Sequence, residues 1–193
     1  MSLPPAAALP PPLHPSGPYR ICLVCLGNIC RSPMAEVVLT AELASAGLAD
    51  AVRVDSAGTG DWHIGHQMEA RARAELARRG YDGSAHRARQ VEPSWLAGRD
   101  LVLAMDRRNL ADLRQMAAPA QFGDDQFGGD RIRLFGEAGG LPGEDGPEGG
   151  AADIPDPYGG DASDFSAVLD LIETAARHIA AQLTGMLAGR APA

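Results

Sequence analysis

Short apolar runs alternate with amphipathic stretches along most of the chain. Residues 20–25 (RICLVC) form a continuous apolar run, which is typical of a strand buried on both faces of a sheet. Further strands are predicted at 51–54, 101–105 and 131–135, and helices at 33–46, 68–79, 107–116 and 164–186. Because strands and helices alternate, we expect an α/β fold: a doubly wound, mostly four-stranded parallel sheet with helices on both faces.

Polar and glycine residues mark the ends of several predicted helices. Ser32 is expected to cap the first helix, with Pro33 at its first position and Gly47 just past its end. Gly80 stops the second helix and Asp106 can cap the third. The whole order of elements predicts a three-layer arrangement of the flavodoxin or Rossmann type. In such sheets, ligands bind beyond the carboxyl ends of the strands.

Two segments differ in composition from this pattern. Residues 1–18 contain seven of the 15 prolines and are predicted to form a disordered tail. Residues 121–152 are rich in glycine and acidic residues and are predicted to be a loop insertion, interrupted by the strand at 131–135. The remainder has the size of one domain, which we place at residues 19–190.

The charged residues narrow the possible partners. The chain has 193 residues and a net charge of −8, and all 17 of its basic residues are Arg. This balance argues against binding of nucleic acids or anionic membranes, and the absence of Lys excludes lysine chemistry. We find neither a signal peptide nor an apolar run of about 18 residues that could span a membrane. An anionic ligand would therefore have to be bound by Arg and backbone N–H groups.

The three cysteines lie close together, at Cys22, Cys25 and Cys30. A secreted disulfide framework would spread them over the fold, so the clustering favours a reducing cytoplasm and a local chemical role. Cys22-x-x-Cys25 has the spacing of a redox or zinc motif, but in a strand residues three apart face opposite sides of the sheet. Cys22 is therefore predicted to be a core residue. His63-x-x-His66 could form half a metal site, although two solvated loop histidines are the better interpretation, and we predict no metal.

The loop between the first strand and the first helix carries the strongest chemical signal. It runs from Cys25 to Ser32, and its backbone N–H groups can converge because Gly27 and Asn28 tolerate positive φ. The helix N-terminus that follows favours an anion, and Arg31 offers a planar fork for two phosphate oxygens. Positive potential at the base of this loop favours the thiolate of Cys25. A lone Cys is more often a small buried hydrophobe, but this arrangement indicates a nucleophile aimed at phosphorus.

These residues resemble a known family. The stretch 24–33 (VCLGNICRSP) is similar to the signature loop of the low molecular weight protein tyrosine phosphatases, and the resemblance extends over most of residues 20–188. Similar segments follow at 54–62 (VDSAGTGDW), at 86–90 (HRARQ), at 105–109 and at 156–158 (DPY). The chain departs from many relatives in having Gly159 after Tyr158, where they have a second aromatic residue.

The resemblance implies a two-step phosphotyrosine hydrolysis without a cofactor. It implies Cys25 as nucleophile, Arg31 as phosphate clamp and Asp156 as general acid and then base. From the residues alone, Asp156 could not be told from other loop acids such as Asp153. The implied phosphate-binding loop consists of Leu26, Gly27, Asn28, Ile29, Cys30 and Arg31. The implied partners are phosphotyrosine proteins and a cognate tyrosine kinase.

Two further groups of residues are implied by the same resemblance. The residues expected to hold the loop by hydrogen bonds are Asn28, Ser32, Ser56 and His86. The residues expected to line the slot for the aromatic ring are Leu26, Trp62 and Tyr158. Because the loop curls, Cys30 can approach Cys25, which suggests a reversible disulfide that protects the nucleophile.

The sequence suggests three competing functions. An arsenate reductase of the same fold would need further cysteines downstream, and none follows Cys30. A phosphoarginine phosphatase would resemble this chain but carry Thr in place of Ile29, whose branched side chain should crowd a guanidinium. A phosphate sensor without turnover would not need Cys25, Arg31 and Asp156 together.

Overall fold

Four strands and six helices lie within the part of the chain that the computed structural model describes, residues 8–117, 131–143 and 153–188. The strands are β1 (Tyr19–Cys25), β2 (Val52–Gly58), β3 (Leu101–Ala104) and β4 (Ile132–Leu134). The helices are α1 (Arg31–Ser45), α2 (Ala70–Arg78), α3 (Pro93–Leu96), α4 (Arg107–Met116), α5 (Phe135–Ala138) and α6 (Ala162–Leu187). None of these helices is both long and apolar enough to cross a membrane.

The strands form one parallel sheet in the order β2-β1-β3-β4. Alternate residues of β1 pack on opposite faces: Leu23 and Cys25 belong to the hydrophobic cluster that includes α1 and α6, while Cys22 and Val24 belong to the one that includes α3 and α4. The predicted α/β fold, with helices on both faces of a four-stranded parallel sheet, is confirmed. The prediction that Cys22 is a core residue on the face opposite Cys25 is also confirmed.

The start of α1 differs from the prediction. The helix begins at Arg31, and Cys30 precedes it without a side-chain capping hydrogen bond. The prediction that Ser32 is the N-cap was wrong, because Ser32 lies inside the helix and its hydroxyl contacts the loop instead. Asp106 does cap α4, since its carboxylate accepts from Asn109 N at 2.7 Å.

Strand β2 is longer than the apolar run that predicted it. It continues through Asp55 and Ser56 to Gly58, because parallel pairing with the whole of β1 satisfies its backbone even where the side chains are polar. Gly58 lies opposite Cys25 in the register, and β3 ends beside them. Three strands thus bring their carboxyl ends to one edge of the sheet.

Part of the predicted tail packs against the domain. Tyr19 donates its hydroxyl to Pro10 O at 2.9 Å, Leu13 N donates to Asp100 at 2.5 Å, and Leu9 is buried. Residues 8–13 therefore contact the domain in the structure, whereas composition predicted a disordered tail. Residues 1–7 of that tail lie outside the described residues.

The described part of the predicted insertion belongs to the core. Residues 131–143 form β4, which was predicted, and α5, which was not, and they bury Phe135 and Leu141. Residues 121–130 and 144–152 of the insertion, and 118–120 and 189–190 of the predicted domain, lie outside the described residues.

Candidate active site

The loop between β1 and α1 curls around the thiol of Cys25. Asn28 N donates to Cys25 Sγ at 3.3 Å, and Ser32 Oγ lies 3.1 Å from the same sulfur. Asn28 has φ 52°, the one positive φ outside glycine among the described residues. This left-handed residue turns the backbone so that its N–H faces the sulfur. The thiol is thus buried at the base of the loop, with the Asn28 N–H and the Ser32 hydroxyl as its polar neighbours.

Asn28 uses all its polar atoms to hold the loop. Its side-chain amide donates to Ser32 Oγ at 2.9 Å and to Ser56 Oγ at 2.8 Å, and its side-chain oxygen accepts from Arg89 N at 2.9 Å. Its backbone carbonyl accepts from His86 Nε2 at 2.7 Å. The structure therefore brings together Asn28, Ser32, Ser56 and His86, the four residues that the resemblance implied as loop support.

His86 contacts the loop through its ring nitrogen Nε2. Burial lowers its pKa, the positive charges of Arg89 and Arg87 lower it further, and the carbonyl of Asn28 opposes them. Since a carbonyl can only accept, Nε2 carries the proton.

The hydrogen-bond network extends to residues that sequence reasoning missed. Ser56 donates to Glu36 Oε2 at 2.5 Å, and Arg89 Nε donates to Ser56 O at 3.1 Å. Burial raises the pKa of Glu36, and the hydrogen bond from Ser56 and the charge of Arg89 offset part of that rise. Glu36 is a charged residue within a predicted helix, where a solvent-exposed position is expected. The sequence therefore does not indicate that it belongs to the site.

The end of β2 packs closely against the phosphate loop. A Cβ at Gly58 would lie 2.7 Å from Leu26 O and 3.1 Å from Asn28 N, so only glycine fits there. The following residues continue the contact, since Thr59 N donates to Cys25 O and Gly60 N to Leu26 O, both at 2.9 Å. The loop that follows β2 is therefore joined to the loop that follows β1 by backbone hydrogen bonds.

Arg31 is buried and held by two carboxylates. Its Nη1 donates to Asp106 at 2.6 Å and to Ile154 O at 3.1 Å, and its Nη2 donates to Asp156 at 2.8 Å. Burial would lower the pKa of Arg31, but Cys25 and the two carboxylates raise it, so the guanidinium stays charged. Asp106 was predicted only as a helix cap. It caps α4 with one oxygen and orients Arg31 with the other.

The loop that carries Asp156 is fastened from two directions. Ile154 N donates to Met105 O at 2.7 Å, at the end of β3. Arg71 of α2 donates to Gly160 O at 2.6 Å and to Tyr158 O at 2.9 Å. Asp156 accepts from Tyr158 N at 3.1 Å, and its carboxylate is half-exposed at the pocket. The sequence contained no signal for Arg71.

These groups enclose a cavity of about 160 Å³. Its lining consists of Cys25, Leu26, Gly27, Ile29, Cys30, Arg31, Trp62, His63, Asp156 and Tyr158. The three residues that the resemblance implied as slot walls are all among them. Trp62 and Tyr158 are 67% and 53% exposed, so the rim is formed by aromatic surface that can stack on a planar ligand. Nothing lies within 4 Å of a Cβ at Gly159, so the rim is open beside Tyr158.

The other residues considered from the sequence are the two histidines of the His63-x-x-His66 pair and Cys30. His63 lines the cavity, and its ring centroid lies 5.5 Å from that of His66. No group of three or more His, Cys, Asp or Glu that could hold a metal occurs among the described residues. Cys30 lines the cavity near Cys25, and burial together with the Cys25 charge raises the pKa of its thiol.

Comparison with known proteins decides the family. A family model described as low molecular weight phosphotyrosine protein phosphatase matches residues 20–187. The chain belongs to this family. A low molecular weight protein-tyrosine-phosphatase of Streptomyces coelicolor is 40% identical over 173 residues, which cover 90% of this chain and 98% of the relative. Low molecular weight protein-tyrosine phosphatase A of Mycobacterium tuberculosis is 42% identical over 160 residues, with 83% and 88% covered.

Solved structures agree with the sequence relatives. The crystal structure of YfkJ from Bacillus subtilis superposes with a TM-score of 0.73 at 33% identity, covering 88% of this chain and 97% of that one. The predicted family is thus confirmed. As a low molecular weight protein-tyrosine phosphatase, the chain is a hydrolase, and general phosphotyrosine hydrolysis follows from its family.

Proposed function

We propose that this phosphatase hydrolyses phosphotyrosine in proteins through a phosphocysteine, with Cys25, Arg31 and Asp156 as the reacting and clamping groups. One observation carries the proposal: these three side chains line the same small cavity, with the Asn28 amide and the Ser32 hydroxyl directed at the sulfur. An aromatic rim at the mouth of the cavity supports a phenyl ester as substrate.

In the first step, the Cys25 thiolate attacks phosphorus in line, and the bond from phosphorus to the phenolic oxygen breaks. The loop amides and Arg31 bind the equatorial oxygens as charge develops on them. The phenolate would leave with a pKa of about 10, so a proton from Asp156 should accelerate its departure by about 10²–10⁴-fold.

In the second step, Asp156 acts as a base. It takes a proton from water, the water oxygen attacks phosphorus, and the bond between phosphorus and Cys25 Sγ breaks. Inorganic phosphate and the Cys25 thiolate result. Ser32, at 3.1 Å from the sulfur, supports this step because its hydroxyl can donate a hydrogen bond to the departing thiolate.

Arg31 must change partners during this cycle. Asp106 and Ile154 O bind Nη1 and keep the guanidinium plane fixed. Nη2, which contacts Asp156 in the structure, is then the nitrogen available to phosphate oxygens. Release of Asp156 from this ion pair frees its carboxyl to reach the leaving group.

Ile29 favours an aryl ester over phosphoarginine. Its side chain lines the cavity, where an apolar branched group suits a phenyl ring and leaves the donors of a guanidinium without partners. The substrates proposed are therefore phosphotyrosine proteins, a cognate tyrosine kinase among them.

The test is a metal-free assay with p-nitrophenyl phosphate and with phosphotyrosine, phosphoserine and phosphoarginine peptides. We expect turnover of the two aryl esters, inhibition by vanadate, and loss of turnover in Cys25→Ser. Asp156→Ala should lose more rate on phosphotyrosine than on p-nitrophenyl phosphate, whose leaving group needs less protonation. Equal losses on both esters would contradict the role of Asp156 as the acid. Faster turnover of phosphoarginine than of phosphotyrosine would contradict the proposed substrate.

We also propose Cys30 as a redox partner of Cys25 and a reducing cytoplasm as the place of action. All three cysteines are free in the structure, and Cys30 lines the same cavity as the nucleophile. Peroxide would oxidise Cys25 to a sulfenic acid, which Cys30 would convert to a disulfide with loss of water. Mass spectrometry should find this link in the wild type and sulfinic acid at Cys25 in Cys30→Ser. Sulfinic acid in both would contradict the pairing.

A further inference from the structure

A second, larger cavity adjoins the catalytic one. It has a volume of about 500 Å³ and shares two wall residues, Leu26 and Trp62, with the catalytic cavity. We call it the flanking cavity. Its lining consists of Leu26, Thr59, Gly60, Trp62, Arg108, Asp112, Gln115 and Met116. The proposed chemistry at Cys25 uses no group from α4, so this cavity is unexplained by the reaction itself.

Thr59 belongs to the wall of the flanking cavity. Its hydroxyl oxygen is the one buried side-chain oxygen or nitrogen of the described residues without a hydrogen-bond partner. A buried hydroxyl without a partner is unfavourable, and such groups in folded proteins call for an explanation. Since this oxygen has almost no accessible surface, a ligand in the flanking cavity would have to bind other groups of its wall.

Arg108 supplies the charge for such a ligand. It lies in the first turn of α4, is exposed, and forms no ion pair or hydrogen bond with any described residue. Arg107 beside it instead lies 3.8 Å from Asp153. Asp112 also lines the cavity, and its negative charge offsets part of the positive potential of Arg108 without forming an ion pair with it. Gln115 adds an amide that can donate.

We propose that the flanking cavity binds the carboxylate side chain of an Asp or Glu close to the phosphotyrosine in the substrate polypeptide. This inference rests on the proposed function, because it assumes a phosphotyrosine in the catalytic cavity. An extended peptide advances about 3.3 Å per residue, so a side chain one to three residues away reaches across the Leu26 and Trp62 wall. The guanidinium of Arg108 is the charged donor for the carboxylate oxygens, and the side-chain amide of Gln115 is a second donor.

The preference should be moderate in size. An exposed Arg with one carboxylate gives little free energy, and Asp112 reduces it further. The net charge of −8 also repels acidic peptides at long range, but about 0.15 M salt screens charges beyond about 8 Å. At that salt concentration, we expect a Glu peptide to exceed its Gln counterpart about fivefold in kcat/KM, mainly through KM.

The experiment uses the full chain and phosphotyrosine peptides in which Glu, Gln or Ala is placed at each position from three before to three after the phosphotyrosine. Arg108→Gln should abolish the preference for Glu over Gln, and Asp112→Asn should increase it. Arg114→Gln is the matched control, since Arg114 is an exposed arginine of the same helix that does not line the cavity. It should keep the wild-type preference.

p-Nitrophenyl phosphate separates this proposal from the proposed function. It has no flanking residues, so all three variants should turn it over at the wild-type rate. A wild type that shows no Glu preference at any position, or one that Arg108→Gln leaves intact, overturns the flanking cavity as a carboxylate site. A wild type that fails to hydrolyse p-nitrophenyl phosphate overturns the proposed function instead.

Discussion

Asn28 joins the phosphate loop to β2, to α1 and to the loop that follows α2. It is fully buried, and its side chain bonds to Ser32, Ser56 and the backbone N–H of Arg89. Each buried bond of this kind contributes about 1 kcal/mol, and a partner left unpaired costs about 1–3 kcal/mol. A single residue therefore fixes both the shape of the loop and the polar surroundings of the Cys25 thiol.

We predict that Asn28→Ala lowers the free energy of unfolding by about 2–4 kcal/mol and kcat by at least tenfold. The alanine loses the hydrogen bonds and also disfavours φ 52°. Asn28→Gly loses the same bonds but tolerates that φ, so it should be more stable than Asn28→Ala by about 1 kcal/mol. Urea denaturation and turnover of p-nitrophenyl phosphate measure both quantities. A kcat unchanged in both variants would contradict the role of Asn28.

Part of this site was predictable because it is local in sequence. Cys25, Arg31 and Ser32 lie within one loop, so the spacing alone indicates a thiol beneath a phosphate cradle. Asp106 and Glu36 were missed, because their roles depend on which elements the fold places beside the loop. The role of Ser32 also depends on the fold. Its position suggested a helix cap, but its hydroxyl contacts the buried sulfur of Cys25 and the side-chain amide of Asn28.

At the scale of elements, α2 joins the two loops of the active site. The backbone N–H of Glu69, which caps α2, donates to Ile29 O in the phosphate loop at 2.8 Å. Arg71 binds Glu69 with Nε at 2.9 Å and holds the carbonyls of Tyr158 and Gly160 with its other nitrogens. Its guanidinium also lies 4.8 Å from the ring centroid of Phe165 in α6. The first turn of α2 and its cap thus connect the loop that follows Cys25 to the loop that carries Asp156.

We predict that Arg71→Gln impairs proton donation more than attack on phosphorus. Without the two carbonyl contacts the Asp156 loop loses its fixed position, and a displacement of about 1 Å can cost about 10²-fold in rate. The rate loss should be at least tenfold on phosphotyrosine and less than threefold on 2,4-dinitrophenyl phosphate. Arg73→Gln is the matched control, since Arg73 is on the same helix and contacts Gln67 instead. Equal losses on both substrates in Arg71→Gln would indicate a purely structural role.

The same helix also makes the stability of the fold depend on pH. The pKa of Glu75 is lowered from 4.5 to about 2, chiefly by the hydrogen bond from Arg78, and Arg79 joins Glu75 to Asp170 and Glu173 of α6. Because the folded-state pKa is depressed, the unfolded chain binds more protons between about pH 4.5 and 2. The contribution of Glu75 is complete above about pH 4.5 and is lost as the pH falls toward 2.

We therefore expect Glu75→Gln to be less stable than the wild type at pH 7 and the difference to shrink between pH 4.5 and 3. Urea denaturation at pH 7, 5 and 3.5 measures it. The exposed carboxyl of Glu92 supplies the control, since Glu92→Gln should leave stability nearly unchanged at each pH. A Glu75→Gln difference that is the same at all three pH values would contradict the assignment.

At the scale of the whole molecule, the arginines have two roles: some join elements through ion pairs, and others line the cavities. The global charge is negative, and most described arginines that form ion pairs join elements, as Arg99 does with Asp55 and Arg79 with α6. Arg31 is the arginine that lines the catalytic cavity, and Arg108 the one that lines the flanking cavity. Composition argues against polyanions as partners, but only the fold shows which two arginines line the two cavities.

The segment before β1 was predicted to be disordered from its proline content, which says nothing of the contacts that a chain makes with a folded domain. Residues 8–13 pack at the amino ends of the strands: Pro10 O accepts from Tyr19 at the start of β1, and Asp100, just before β3, accepts from both Leu13 N and Arg20 N. We propose that the catalytic domain includes these residues.

Deletion of residues 1–18 should accordingly lower the free energy of unfolding by about 1–3 kcal/mol. It exposes the surface that Leu9 covers and leaves the Tyr19 hydroxyl without its acceptor, and the entropy regained by the freed chain offsets part of the loss. Deletion of residues 1–7 removes none of these contacts and is the matched control. Because the segment packs at the opposite end of the sheet from Cys25, kcat on p-nitrophenyl phosphate should stay within about twofold in both. Equal stability of the two deletions by urea denaturation would place the domain boundary back at residue 19, and a large fall in kcat would show that the amino ends of the strands are coupled to the phosphate loop.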